Sequence, residues 1–340
     1  MNLLLIVNYF IKRLPRLVIV LLGVTMITFA ISHVIPGDPA RMLVGQRASQ
    51  ETLDKMRSEM GLDKPLHIQY LNYVNDLLHG DLGKSIRTQQ PVVAELRKFF
   101  PATLELTLTS MLITLLLGVA LGIAAAVKRD TWADHISRII SLAGVSTPLF
   151  WSGLLVIVLF YKWLQLFPAS GRLDTFLAPP ASVTGLYLVD GLIAGNMPVV
   201  LSALHHLILP ASCLAFIQVA IIARQVRSSM LEVLEQDYIR TARAFGLSPS
   251  RIIYLYALKN ALLPTVTLAG LIFGELLGGA IITETIFAWP GMGKYVVDSV
   301  SFLDFPAIMG FTLLVSFCYV VINLLVDLLY QVIDPQIRGV

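Results

Sequence analysis

The sequence predicts an all-α integral membrane protein with about six transmembrane helices and a small helical segment outside the membrane after the first. Three observations carry that reading. Of 340 residues, 56% are hydrophobic and only 14% charged, where soluble domains carry about 25% charged residues. Mean hydropathy is +0.76, so lipid must be the solvent for much of the surface. Long apolar runs recur along the chain, each near the roughly 20 residues that cross a bilayer. Lysine and arginine then collect on alternate loops. The net charge of +3 is modest and makes no case for nucleic acid.

The first run follows a basic start, "IKRLPRLVIVLLGVTMITFAISHVIPGDPA". It is long enough to span, and it ends in "PGDPA" rather than a small-x-small cleavage site. It reads as a retained span over 14–35. The other spans are expected at 102–127, 136–163, 206–223, 261–285 and 306–333. The fifth is glycine-rich ("LAGLIFGELLGGAIITET"), which membrane helices tolerate because small residues allow close approach.

With six spans, Lys12, Arg13 and Arg16, then Lys128, Arg129 and Arg138, then the bases from Arg224 to Lys259, and finally Arg338, all fall on one side. By the positive-inside rule that side is the cytoplasm, with both termini in it. Segment 36–101 is then outside. In "SQETLDKMRSEMGL", Ser49 caps a helix whose face carries Leu53, Met56 and Met60, and Gly61 ends it. "KPLHIQYLNYVNDLLHG" puts Leu66, Tyr70, Tyr73, Val74 and Leu77 on one face and stops at Gly80. The outer loop 163–205 contains "LFPASGR" and then an apolar stretch read as a surface helix over 199–205. The expected organisation is 1–35, the N-terminus and first span; 36–101, the outer helical segment; 102–333, a five-helix core with a cytoplasmic loop at 224–260; and 334–340, a cytoplasmic tail.

Catalytic and nucleotide motifs fail on inspection. "GDLGKS" resembles a phosphate loop, but Leu78 stands where the required glycine should be. "GMGK" is followed by Tyr295 in place of Ser or Thr. His205 and His206 are adjacent and cannot chelate as an i, i+4 pair does. Cys213 and Cys318 sit in apolar runs and read as small buried residues. No cofactor or metal site is expected in this chain.

One segment is polar between apolar blocks: "RSSMLEVLEQDYIRTARAFGLSPSRIIYLYALKNALLP". It parses as helix, turn, helix. Met230, Leu231, Leu234, Tyr238, Ile239 and Ala242 form the apolar face of the first helix. Gly246 is placed to take a positive φ and end it. Ser248 is a candidate cap for the next helix, with Pro249 in its first turn. The result is a compact knob with a small, basic outer surface, suited to a protein groove.

"DYIRTARAFGLS" followed by "ALKNALLP" resembles the cytoplasmic loop of ABC importer permeases, above all the dipeptide/oligopeptide/nickel family. "VIPGDPA", "MGLDKPLHIQYLNYVNDLLHGDLGKSI", "TETIFAWPGMGKYVVDSV" and "NLLVDLLYQVIDPQIR" match the first of that family's two permeases in order. The resemblance covers essentially the whole chain. It implies a type I importer permease fold in the bacterial inner membrane. The expected partners are a second homologous permease, two cytoplasmic ATPases that bind the ATP and magnesium, and an extracytoplasmic solute-binding protein. It implies that Asp237, Tyr238, Arg240, Thr241, Ala242, Arg243 and Gly246 form an ATPase-coupling loop, and that this chain is itself not an enzyme. The Glu-Ala-Ala form of related sugar importers is absent, since Arg240-Thr241-Ala242 stands there; that weakens a sugar as substrate. Short peptides are the expected cargo, with nickel complexes, glutathione or another small solute as alternatives. An ion-gradient-driven secondary carrier is the reading from a different class.

Glu275 lies in mid-span, where an insertion scale charges about 2.5–3.5 kcal/mol for a carboxylate. It should face protein or water, either lining the path toward a cationic group or packing against the partner permease. Glu284, at the outer end of the fifth span, is a candidate for an outer gate. Asp327 and Asn323, one turn apart, read as structural.

Overall fold

The computed structural model describes residues 3–34, 39–45, 48–59 and 61–333. Among these the secondary structure is helical, with one isolated bridge between Lys84 and Pro91. Four helices are long and apolar enough to cross a membrane, or up to six if each of two bent pairs counts as one span. The expected tail 334–340 and the expected face residue Met60 lie outside the described residues. The chain divides into two units, Met1–Phe100 with Tyr295–Val320, and Pro101–Lys294 with Val321–Val340.

The first unit contains α1 (Leu3–Val34), α2 (Pro39–Val44), α3 (Gln50–Glu59) and α4 (Leu66–Leu78). Ser49 caps α3 as its sequence suggests, its Oγ accepting from the Thr52 N–H at 3.2 Å. Leu53 is buried beneath it. α4 packs on α1 through Tyr70, whose hydroxyl lies 3.0 Å from that of Thr25. Phe29 meets Tyr70 edge-on, with centroids 5.3 Å apart. Leu66 departs from the expected face and is exposed, because contact with α1 begins only at Gln69 and Tyr70, a turn later. Tyr73 lies against Phe29, and burial pushes its phenol up to about 12.

The end of the phosphate-loop look-alike and the two residues after it hold an anion, but it is the chain's own. The Ile86 and Arg87 N–H groups donate to the Asp304 carboxylate at 3.0 and 3.2 Å, and the Ser85 hydroxyl at 2.5 Å. Successive N–H groups converging this way form an anion nest. Asp304 is fully buried and also accepts from the Ala307 N–H at 3.4 Å, capping α15 (Phe305–Ile333), the helix that follows α14 (Met292–Ser301). Asp304→Ala should strand these donors at about 1–3 kcal/mol each. Protease cleavage after Lys84 and Arg87 should then quicken by about tenfold or more; an unchanged rate would remove the nest's structural role.

The second unit is built around one long helix. α5 (Val92–Val127) enters it at Pro101, and α6 (Trp132–Ser146), α7 (Leu149–Val156), a wide turn at Ile157–Trp163, α8 (Tyr187–Ile193) and α9 (Met197–Leu234) follow. Gly118 and Gly122 of α5 lie one turn apart, and a Cβ on either would fall within 2.8 Å of Ile222 or Val226 of α9. A Cβ on Gly144 of α6 would likewise lie 2.9 Å from Ala220 of α9. Three helices thus approach backbone to backbone, as small residues permit.

Three expected elements are corrected here. The helix expected over 199–205 and the span at 206–223 are one continuous helix, α9, which also runs on through Arg224 and Arg227. The two histidines do not interrupt it because both rings find partners. His205 Nε2 lies 2.5 Å from the Leu166 carbonyl and His206 Nδ1 2.8 Å from that of Ser202. His206 is buried. The third span is not straight; it bends by 109° between Ser146 and Leu149. Pro148 forces this, since a residue before proline is driven out of the helical region, and Thr147 sits at φ −93°, ψ 121°. The fifth lies where expected, as one helix over Leu263–Ile286, and a 54° bend at Leu262, ahead of Pro264, sets it off from the helix before it.

Candidate functional site

The polar segment folds as α10 (Asp237–Ala244), α11 (Pro249–Arg251), a wide turn at Ile252–Ala257 and α12 (Leu258–Ala261), leading into α13 (Leu263–Ile286). The first helix of the expected knob is two helices. Met230, Leu231 and Leu234 belong to α9, while Tyr238, Ile239 and Ala242 belong to α10. The chain turns at Glu235 and Gln236, with Gln236 extended at φ −67°, ψ 151°. No glycine or proline marks that break.

Spacing decides which side of α10 is anchored. Ile239 and Ala242, three apart, fall on one face. They are buried, at 0% and 6% exposure, in a cluster with Met230, Ile252, Ala257 and Ala261. The Tyr238 hydroxyl accepts from Asn260 Nδ2 at 2.8 Å and ties α10 to α12. Gly246 takes φ +75° as expected, its N–H reaching the Arg243 carbonyl at 2.9 Å and that of Leu247 reaching Ala242 at 3.3 Å. These bonds close the helix end. Pro249 opens the next helix, but the Ser248 side chain makes no cap bond; its extended backbone alone starts that turn.

The opposite face is free. Asp237, Arg240, Thr241, Arg243 and Ala244 are exposed. Arg240 contacts Asp237 at 3.0 Å, yet with 70% and 95% of the two side chains exposed such a pair contributes little, so its guanidinium is available to another acceptor. The Thr241 hydroxyl is turned back onto the Asp237 carbonyl at 3.0 Å. Sequence reading missed Phe245, which stands 81% exposed at the tip between Arg243 and Gly246. Its signal was available: an aromatic directly before a helix-ending glycine has no core to enter. An anchored inner face, a basic outer face and a bare aromatic tip make a surface that a protein groove would cover.

The two carboxylates expected along a path separate. Glu275 of α13 is exposed on the chain by itself. Glu284 is completely buried. Its carboxylate accepts from the Thr103 hydroxyl at 2.6 Å and from the Lys294 N–H at 3.0 Å, and Thr103 in turn accepts from the Met292 N–H at 2.8 Å. A Cβ at Gly291 would overlap that carboxylate, so the glycine makes room for it. Glu284 thus clamps the 287–294 turn to α5 and has no exposed surface.

Two further buried charges, Arg172 and Asp190, escaped sequence reading. Arg172 of "LFPASGR" donates to Glu105 at 2.6 Å, with 7% and 5% exposure, and lies 3.7 Å over the Tyr187 ring. Glu105 also accepts from the Leu188 N–H at 2.8 Å. Asp190 gathers the N–H groups of Val183, Thr184 and Gly185 and the Thr184 hydroxyl. Burial pushes its carboxyl up, but these four donors outweigh it and hold it below the usual carboxylate range. Together they pin the 164–186 loop in place.

Residues 118–339 match the model of the binding-protein-dependent transport system inner membrane component. Residues 6–107 match that of its N-terminal part. The chain is 59% identical over 329 residues to the probable D,D-dipeptide transport system permease protein DdpB of Escherichia coli, covering 96% of this chain and 97% of the relative. It is 46% identical to the dipeptide transport system permease protein DppB of Alkalihalophilus pseudofirmus, covering 97% and 99%. It is 39% identical to the glutathione transport system permease protein GsiC of Salmonella choleraesuis, again covering 97% and 99%.

Proposed function

This chain belongs to the family of inner membrane components of binding-protein-dependent transport systems, and on that premise we propose that it is the membrane-spanning subunit of an ATP-driven importer of short peptides. It would form the path with a second, homologous permease. Two cytoplasmic ATPases would bind ATP and magnesium, and a binding protein would deliver solute from outside. Both termini and α10 would face the cytoplasm. The single observation that carries the reading is the capped knob: Ile239 and Ala242 fix it to the core, while Arg240, Arg243 and Phe245 are left to a partner. A chain with no phosphate loop of its own must receive work from subunits that have one, and a rigid element joining α9 to α13 can pass it to both.

Dipeptides are the first cargo to test, because the relatives sharing 59% and 46% identity bear that name. A carboxylate in mid-span suits the amino terminus of such a cargo, and Glu275 is our candidate for a lining residue.

The test is a tagged pull-down from native membrane in mild detergent, then reconstitution with D-alanyl-D-alanine and L-alanyl-L-alanine as labelled probes. A second permease and Walker-motif ATPases should follow this chain, and uptake should require ATP. Recovery of the chain alone, active without ATP, would favour a gradient-driven carrier instead. Arg240→Glu with Arg243→Glu should reduce co-purifying ATPase by about tenfold, the scale of a lost charged contact at an interface. Full recovery of ATPase with this variant would remove α10 as the docking surface.

A further inference from the structure

Asp134, in the first turn of α6, is fully buried. Arg227 of α9 grips it with two bonds, Nε to Oδ1 at 2.7 Å and Nη2 to Oδ2 at 2.9 Å. Arg138, one turn along α6, grips the same two oxygens at 3.2 and 2.7 Å. The Asp130 N–H adds a fifth contact at 3.2 Å. Just beyond, Arg129 lies 3.7 Å from Glu235, the residue that follows α9. One carboxylate therefore ties together the 128–131 turn, the start of α6 and the end of α9 nearest α10. Two-pronged guanidinium contacts fix orientation as well as distance.

The same stretch of α9 is packed closely on two neighbouring helices. Gly118 and Gly122 bring α5 against Ile222 and Val226, and Gly144 brings α6 against Ala220. From Arg227 the helix continues unbroken to Leu234, and α10 begins three residues later at Asp237. A push on α10 thus reaches α9 at once. Close-packed backbones cannot absorb it by slipping, and the Asp134 clamp stops α6 from swinging off.

We propose that Asp134 is a positioning residue for energy coupling: it locks α6 to α9 so that α5, α6 and α9 turn as one body when α10 is driven, carrying the motion to the Thr147-Pro148 bend. This rests on the reading of α10 as the surface an ATPase engages. Asp134 touches neither nucleotide nor solute; it acts through Arg227 and Arg138.

The experiment uses the complete reconstituted importer and whichever of the two labelled alanine dipeptides the wild type accumulates. The readout is peptide taken up per ATP hydrolysed. Asp134→Asn keeps the shape but loses the charge, and the ratio should fall about fivefold, within the range of coupling energies between sites, while ATP hydrolysis continues. Arg227→Lys keeps the charge but loses the two-pronged grip, and it should move the ratio the same way. Asp134→Glu should restore part of it. A purely structural clamp would lower the yield of assembled complex and leave the ratio per complex unchanged; that result in Arg227→Lys, or in Asp134→Asn where it assembles, overturns the proposal. Gly246→Val is measured alongside. If it uncouples and the Asp134 and Arg227 variants do not, the α10 reading stands and the clamp falls. If none of them moves the ratio, the α10 reading fails and takes the clamp with it.

Discussion

Gly246→Val should cut ATP-driven uptake by about tenfold or more while leaving the amount of chain in the membrane unchanged. The backbone at Gly246 sits at φ +75°, in the left-handed region. There an ordinary L-residue costs about 1–2 kcal/mol, and a β-branched one more. A Cβ added at this position meets nothing within 4 Å, so the penalty is conformational and confined to the turn. The chain would relieve it by unwinding the end of α10. Arg243 and Phe245, on either side of the exposed tip, would lose the orientation that a partner groove reads. Gly246→Asn is the control, because asparagine tolerates the left-handed region; it should keep most of the uptake. Uptake in membranes matched for chain content is the measurement. Normal transport by the valine variant would show that the turn's geometry is not what the partner engages.

Glu105→Ala should be strongly destabilising. It would leave the Arg172 guanidinium buried at 7% exposure without its carboxylate. Breaking a buried pair from one side costs about 3–5 kcal/mol, because the remaining charge is uncompensated. The Leu188 N–H would lose its acceptor as well. The unfolding midpoint in detergent should drop by about 10 °C. Arg172→Ala should cost less, since Glu105 keeps the Leu188 N–H. The double change Glu105→Leu with Arg172→Met should recover most of the loss, as apolar replacement of both partners commonly does. A wild-type midpoint in Glu105→Ala alone would mean that the pair contributes nothing to holding the 164–186 loop.

Much of the fold was legible because its signals are local. Apolar runs near the bilayer width placed the long helices, and the caps at Ser49 and Gly246 act where their chemistry says they should. Pro148 is equally visible, but the apolar run over 136–163 does not weigh it: apolarity measures how long a segment is, not whether it is straight. The surface helix expected over 199–205 and the span over 206–223 erred in the opposite direction: both belong to α9, in which the rings of His205 and His206 find the carbonyls of Leu166 and Ser202. Of the candidate site, the inner and outer faces of α10 could be read from residue spacing. The turn at Glu235 and Gln236 could not, since it carries no breaker residue and exists because α10 packs back onto Ile252 and Ala261.

By itself the sequence determined that this is a helical membrane protein, where its long helices lie, and that a basic, capped knob is set between two of them. Those features depend on neighbours within a turn or two of the chain. The tertiary structure alone decided which charges are buried and with whom: Glu105 with Arg172, Asp134 with Arg227, and Asp304 with the 85–87 loop. Those partners lie far apart in the chain, and a carboxylate surrounded by apolar sequence carries no mark of its mate. Only folding, by removing water from around a charge, makes the choice of partner energetically decisive.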